Sequence, residues 1–323
     1  MSLSIIIVTY QRLADLSECL DSVLSQSILP NEVVIVDNAA GCEVEQLVSA
    51  VRPRFDVRSV AIRCIKNSGG NSLASGRNAG AKNVSGDIVL YLDDDVILDE
   101  KYIEEVLKVY RDFPSALGVQ GYIVNSNPKY LWLKNLLGKV FFLGYLAEDD
   151  CRVFPSGGTT YPSQLNSVLN CQWLSGANHS YSRQVLLSSG YDQNLKKWSQ
   201  CEDIDFSYRV YKKNPESLYI TPHARLVHKV SPAGRMPKKE LVQMCEIYEL
   251  YFFYKNYTQS FGNWGVYLWS RVGKFFVNIL RSLSYRSSNG LTENFYIVGA
   301  LLTCFRKREL IRKGDLEFFN RNL

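Results

Sequence analysis

The chain has 323 residues, 46% of them hydrophobic, and 37 Lys+Arg against 32 Asp+Glu, a net charge of +5. That is enough apolar material for one large domain or two smaller ones, and no stretch reaches the roughly 18–20 unbroken apolar residues of a membrane-spanning helix. Residues 245–323 hold 11 Lys+Arg and 6 Asp+Glu while the remainder holds 26 of each, so the whole net charge lies in an aromatic-rich C-terminal quarter, as on a surface that meets a partner.

The N-terminal stretch "SLSIIIVTY" (2–10) is a β-branched run, and its start lacks the basic segment and cleavage site of a signal peptide. An amphipathic helix follows, with Leu13, Leu16, Leu20, Val23 and Leu24 on one face. "EVVIVD" (32–37), "VRSVAIRCI" (57–65) and "DIVLYL" (87–92) read as three further strands, the last preceded by a helix opening near Asn71. Strand and helix alternating at this pace predict βαβ units and a parallel sheet, whose ligands bind beyond the carboxyl ends of the strands. Thr9, Asp37 and Asp93–Asp95 all stand at such ends.

From about residue 115 the alternation fades. "WLKNLLGKVFFLGYL" (132–146) is apolar but too short to cross a bilayer, and fits either a core helix or a surface flap; "PSGGTTYPS" (155–163) is a loop by composition. Residues 169–192 read as strand, turn and helix, and "EDIDFSYRVYKKN" (202–214) as a helix with acid at its start and base at its end. Three more helices are expected at about 237–256, 263–286 and 291–313. Eight cysteines without a CxxC pair suggest reduced thiols, in keeping with a cytoplasmic chain.

Four groups of residues carry candidate chemistry. Asp93, Asp94 and Asp95 crowd three carboxylates after a buried run; a hard divalent cation would compensate them, and a solvated turn with Asp99 capping the next helix is the plainer alternative. "NSGGNSLASGRNAG" (67–80) could cradle a diphosphate at a helix N-terminus, or its Gly76 and Gly80 could serve close helix packing with Arg77 on the surface. It is neither GxGxxG nor a P-loop. Glu202, Asp203 and Asp205 could include a general base, although Asp205 also pairs favourably with Arg209 one turn on. Spacing does not choose among His179, His223 and His228.

In order along residues 3–235, "IIIVTYQR", "EVVIVDN", "SGRNAG", "YLDDDV", "LSGANHSYSR", "GYDQNL", "CEDIDFSYR" and "HKVSPAGR" resemble the family 2 glycosyltransferases, inverting enzymes of the GT-A fold. The resemblance implies a Rossmann-like α/β fold with a mixed, mainly parallel sheet flanked by helices. Residues 1–236 would form the catalytic domain, with 1–115 its nucleotide-binding half and 116–236 its acceptor half, and 237–323 a helical, basic and aromatic extension. It implies that Thr9, Tyr10 and Arg12 border the nucleotide, that Asp37 meets the base, and that Arg77 helps to hold Asp94 and the nucleotide. Asp93 and Asp95 would be the DxD pair binding Mn²⁺ or Mg²⁺, with His228 completing the metal site. Asp203 would be the catalytic base, with Glu202 the alternative carboxylate, and Trp173, Ser175, Gly176 and Asn178 would line the sugar and acceptor side.

The implied partners are a nucleoside-diphosphate sugar and a saccharide or lipid-linked acceptor in surface polysaccharide synthesis, with a deoxyhexose such as rhamnose one candidate sugar. An anionic membrane surface on the inner face of the cell membrane, or a second copy through the C-terminal helices, are candidate partners for the basic segment; nucleic acid is not. "VDNAAG" departs from the family in lacking the serine that commonly follows "VDN", and the QxxRW motif of the processive synthases is absent. The rival readings are a sugar-phosphate nucleotidyltransferase, for which "VTYQRLADL" lacks the Gly-rich signature, and an inactive nucleotide-sugar-binding scaffold.

Overall fold

A computed structural model describes residues 1–124, 131–197, 201–232, 236–284 and 286–321. The elements in chain order begin β1 (Leu3–Thr9), α1 (Leu13–Leu24), β2 (Glu32–Asp37), α2 (Glu43–Val57), β3 (Ala61–Lys66), α3 (Leu73–Lys82) and β4 (Ile88–Asp93). Next come β5 (Val96–Leu98), α4 (Tyr102–Asp112), β6 (Gly118–Ile123), α5 (Leu131–Phe141), β7 (Tyr145–Ala147), β8 (Thr160–Pro162), β9 (Leu169–Asn170) and β10 (His179–Ser182). Then follow α6 (Arg183–Ser189), α7 (Glu202–Lys213), β11 (Leu218–His228), α8 (Lys238–Asn256), α9 (Phe261–Ser284), α10 (Asn289–Arg306), α11 (Arg308–Arg312) and α12 (Glu317–Asn320). They gather into two compact units, one of Met1–Ser126, Leu165–Trp198 and Glu202–Arg235, the other of Asn127–Gln164, Ser199–Cys201 and Met236–Leu323.

The first unit is built on a sheet of order β3-β2-β1-β4-β10-β6-β11-β5, with β9 paired to β11. β1, β2, β3 and β4 run parallel, and β1 and β2 are buried along their whole length. Continuous β-branched runs of this kind suit strands covered by helices on both faces. The α3 helix lies so close to β1 that a Cβ on Gly76 would come 2.7 Å from Val8, and one on Gly80 2.6 Å from Ile6. Packing therefore accounts for both glycines. Arg77, between them, is buried rather than a surface charge.

The expected third strand starts later than the composition suggested. Val57 ends α2 and is solvent-exposed, Ser59 turns the chain with φ +57°, and the strand begins only at Ala61. Likewise α4 starts at Tyr102, whose N–H bonds the carbonyl of Asp99, so Asp99 precedes the helix instead of capping it. The antiparallel member β10 slots between β4 and β6.

In the second unit, the 132–146 stretch divides into α5 and β7, and the 155–163 stretch contains β8, which pairs with β7. The three C-terminal helices appear as α8, α9 and α10, with Tyr285 outside the described residues. Arg271 and Lys274 of α9 pair with Glu246 and Glu249 of α8, so buried charges are matched between the two helices. Among the described residues no helix is long and apolar enough to cross a membrane.

Candidate active site

The parallel register sets three strand ends side by side: Thr9 pairs with Asp37, and Val8 with Asp93. Beyond β4, Asp94 and Asp95 turn the chain into β5. β11 returns antiparallel to β5 with His228 opposite Val96. That register brings the imidazole to the aspartates, with Nε2 3.1 Å from Asp95 Oδ1 and 3.8 Å from Asp93 Oδ2. One oxygen or nitrogen from each of Asp93, Asp95 and His228 lies within 4.8 Å of the others. The Ser231 N–H donates to Asp95 Oδ2 at 2.8 Å, and Arg12 lies 3.5 Å from the same oxygen.

Electrostatics separates the members of this group. Burial pushes the Asp93 carboxyl up, against the opposing charges of Arg77 and His228. Burial also pushes on Asp95, but its hydrogen bond and charge pairing with His228 outweigh that and hold it below the ordinary carboxylate value. Burial would lower the His228 imidazole, yet the Asp95 hydrogen bond and the two carboxylate charges raise it. Two hard carboxylate oxygens and an imidazole, partly open to solvent, form a donor set suited to a divalent cation.

Asp94 faces the other way. Its carboxylate accepts from Thr9 Oγ1 at 2.8 Å and from Arg12 Nη1 at 3.1 Å, and burial lifts its pKa to about 7. The resemblance implied that Arg77 holds Asp94; Arg12 holds it instead. Arg77 projects from α3 to Glu202 (3.0 Å), the Gly176 carbonyl (2.9 Å) and Asp93 (3.6 Å). The carboxylate trio is thus already flanked by Arg12, Arg77 and His228 within the protein.

Asp203 stands in the first turn of α7, where the helix dipole favours an acid. It is half-buried, and accepts from the Gly176 N–H at 2.7 Å and from the Ile204 N–H at 2.8 Å. Burial, reinforced by the neighbouring Glu202 charge and opposed by Arg77, raises its pKa to about 7. Asp205 instead binds Arg209 at 2.9 Å, one turn along the helix.

The remaining candidates divide. Tyr10 is half-buried beside Thr9. Asp37 is buried with one oxygen on the Ala39 N–H (2.8 Å) and the other on Lys66, its partner in the β2–β3 register. Ser175 and Gly176 form part of the turn whose backbone meets Arg77 and Asp203, and Trp173 is buried just before it. Asn178 lies deeper, fully buried, its amide donating to the Gly121 carbonyl at 2.8 Å, so it supports the turn from behind. His179 is likewise internal, bonded to the Ser175 carbonyl and the Tyr191 hydroxyl, and His223 is exposed on β11.

Sequence reasoning passed over Lys66, the Ser231 N–H, and Gln120, whose side-chain amide oxygen Oε1 takes the Ser175 N–H. Only Lys66 had a signal, as the basic residue ending the strand beside Asp37. Residues 233–235 of the "HKVSPAGR" match lie outside the described residues.

Carboxylates and a histidine thus gather beyond the carboxyl edge of a mainly parallel α/β sheet, where such folds bind their ligands. The family model for glycosyl transferase family 2 matches residues 4–176, more than half of the chain, and the chain belongs to that family. It is a glycosyltransferase with the GT-A fold. A glucosyl-dolichyl phosphate glucuronosyltransferase of Haloferax volcanii is 28% identical over 239 residues, 71% of this chain and 70% of that one. Among solved structures, a mannosyltransferase from Pyrobaculum calidifontis in complex with GDP-Man and Mn²⁺ superposes with TM-score 0.58 at 14% identity, covering 93% of this chain and 86% of that one. GalNAc-T7 with UDP, GalNAc and Mn²⁺ gives 0.57 at 16% identity over 78% of this chain, which spans half of that structure.

Proposed function

We propose that the enzyme moves a sugar, with inversion, from a nucleoside-diphosphate sugar to a hydroxyl of a saccharide or lipid-linked acceptor in surface polysaccharide synthesis. One observation carries the reading: the Arg77 guanidinium reaches Asp93 on one side and Glu202 and the Gly176 carbonyl on the other, so a cation-suited cluster and a carboxylate with a pKa of about 7 share one support.

Asp93, Asp95 and His228 would hold Mn²⁺ or Mg²⁺, which when bound would neutralise charge on the departing diphosphate. Thr9, Tyr10 and Arg12 would border the nucleotide, with Arg12 and Thr9 fixing Asp94 beneath it. Asp37, oriented by Lys66, would meet the base. Ser175, Gly176 and Trp173 would shape the sugar side. Asp203 would take the proton from the acceptor hydroxyl as its oxygen bonds to the anomeric carbon and the bond to the diphosphate breaks. A base with a pKa near the working pH is well matched to that step.

The archaeal relative is named for a lipid-linked sugar, and the two solved neighbours were captured with nucleotide or nucleotide sugar and Mn²⁺, which supports this donor and acceptor chemistry. A panel of UDP-, GDP- and dTDP-sugars, incubated with the protein and Mn²⁺ and followed by nucleoside-diphosphate release, tests it. Metal-dependent release from one donor, accelerated by acceptor, is expected. Release of pyrophosphate from a nucleoside triphosphate and a sugar phosphate would instead mark a nucleotidyltransferase.

A further inference from the structure

Much of what α9 and α10 bury is small or polar: Ser270, Gly273, Asn278 and Ser282 on α9, and Gly290, Glu293 and Asn294 on α10, beside the apolar Tyr267, Ile297, Ala300 and Cys304. These small and polar residues join the two helices: Asn278 donates to Asn294 at 2.9 Å, Asn294 to the Phe275 carbonyl at 3.2 Å, and the Leu291 N–H to Ser282 Oγ at 3.1 Å.

Other apolar residues point outward. On α9 Val272, Ile279 and Leu283 do so, with Trp269 and Phe276 half-exposed against Phe141 of α5, and on α10 Leu291, Phe295, Val298, Leu302 and Phe305, each set spaced by three or four residues. Leu283 is 70% exposed, Phe295 75% and Phe305 68%. In water an amphipathic helix turns such a stripe inward; small and polar contacts inside with apolar residues outside are the arrangement of helices whose surroundings are hydrocarbon. A cavity of about 600 Å³, lined in part by Leu268, Val272, Phe305 and Tyr267, opens on this face and adds apolar volume there.

We infer that this face of α9 and α10 docks on an anionic lipid bilayer, lying in its interface without crossing it. Neither helix is long and apolar enough to span. Charge decides the occupant: the segment 245–323 carries all of the chain's net +5, which complements anionic headgroups and opposes a second copy of itself. Exposed Arg286 and Arg306 stand near the ends of the stripes. Basic residues beside outward Trp, Phe and Leu are the composition of an interfacial helix.

Co-sedimentation with vesicles of phosphatidylcholine, with and without about one-third phosphatidylglycerol, tests the inference. The full chain should pellet with the anionic vesicles and be released by salt. Arg286→Ala with Arg306→Ala should weaken this binding roughly 30-fold, about fivefold for each cation removed. Leu283→Asp with Phe295→Asp should abolish it while melting temperature and donor binding stay unchanged. Equal binding to both vesicles, or none at low salt, would overturn the inference. So would a dimer in the ultracentrifuge that Leu283→Asp with Phe295→Asp splits, since the face would then belong to a second copy. Vesicle binding needs neither donor nor acceptor, so its failure leaves the transferase reading intact.

Discussion

Arg77 and Glu202, 125 residues apart in the chain, meet at 3.0 Å with both side chains almost wholly buried. The same guanidinium contacts Asp93 and the Gly176 carbonyl, so this pair ties the strand-end carboxylates to the start of α7. Removing one partner of a buried pair leaves an uncompensated charge, whereas removing both does not. Arg77→Met should therefore cost about 3–5 kcal/mol in urea unfolding, and adding Glu202→Met should recover much of it. Equal losses in the single and double variants would mean that the cost of Arg77→Met comes from its other partners, Asp93 and the Gly176 carbonyl, and not from a stranded Glu202 charge.

The pH profile should show the base. With the Asp203 pKa at about 7, kcat/KM should rise with unit slope on the acid side and level off above that pH. Glu202→Gln removes the like charge that helps raise this pKa, and frees Arg77 to favour the ionised form. Both changes act in one direction, so the acid limb should move to lower pH. A limb that stays in place, or moves up, would show that another group titrates.

Metal dependence follows from Asp93, Asp95 and His228. EDTA should abolish transfer, and Mn²⁺ or Mg²⁺ should restore it. Calorimetry should show that Asp95→Ala loses metal-dependent donor binding, with His228→Ala a weaker version of the same defect. Full activity in chelator would remove the metal from the account.

The strand-end convergence of Thr9, Asp37 and Asp93 was legible in the sequence because buried β-branched runs announce parallel strands, and parallel strands end together. What brought other residues to that edge was not legible locally. His228 reaches Asp95 through the β11–β5 register, and spacing alone left it equal to His179 and His223; only the family resemblance separated them. Arg12 takes Asp94 in place of Arg77, and Lys66 takes Asp37, through contacts fixed by the packing of whole elements. For the helix at 263–286, apolar residues at helical spacing fitted either packing on the catalytic domain or a face turned to a membrane surface, because spacing does not say which side meets the protein; in the structure Val272, Ile279 and Leu283 of α9 are exposed.

The central claim is that Asp203 deprotonates the acceptor at a site that binds its donor independently of that carboxylate. Asp203→Asn keeps the shape and removes the basicity, so measuring donor affinity and turnover on the same preparation separates the two roles. The account predicts unchanged donor Kd in Mn²⁺ and a turnover lower by roughly 10²-fold or more, the usual scale for loss of a general base. Normal turnover by Asp203→Asn, with the loss appearing in Glu202→Gln instead, would contradict it.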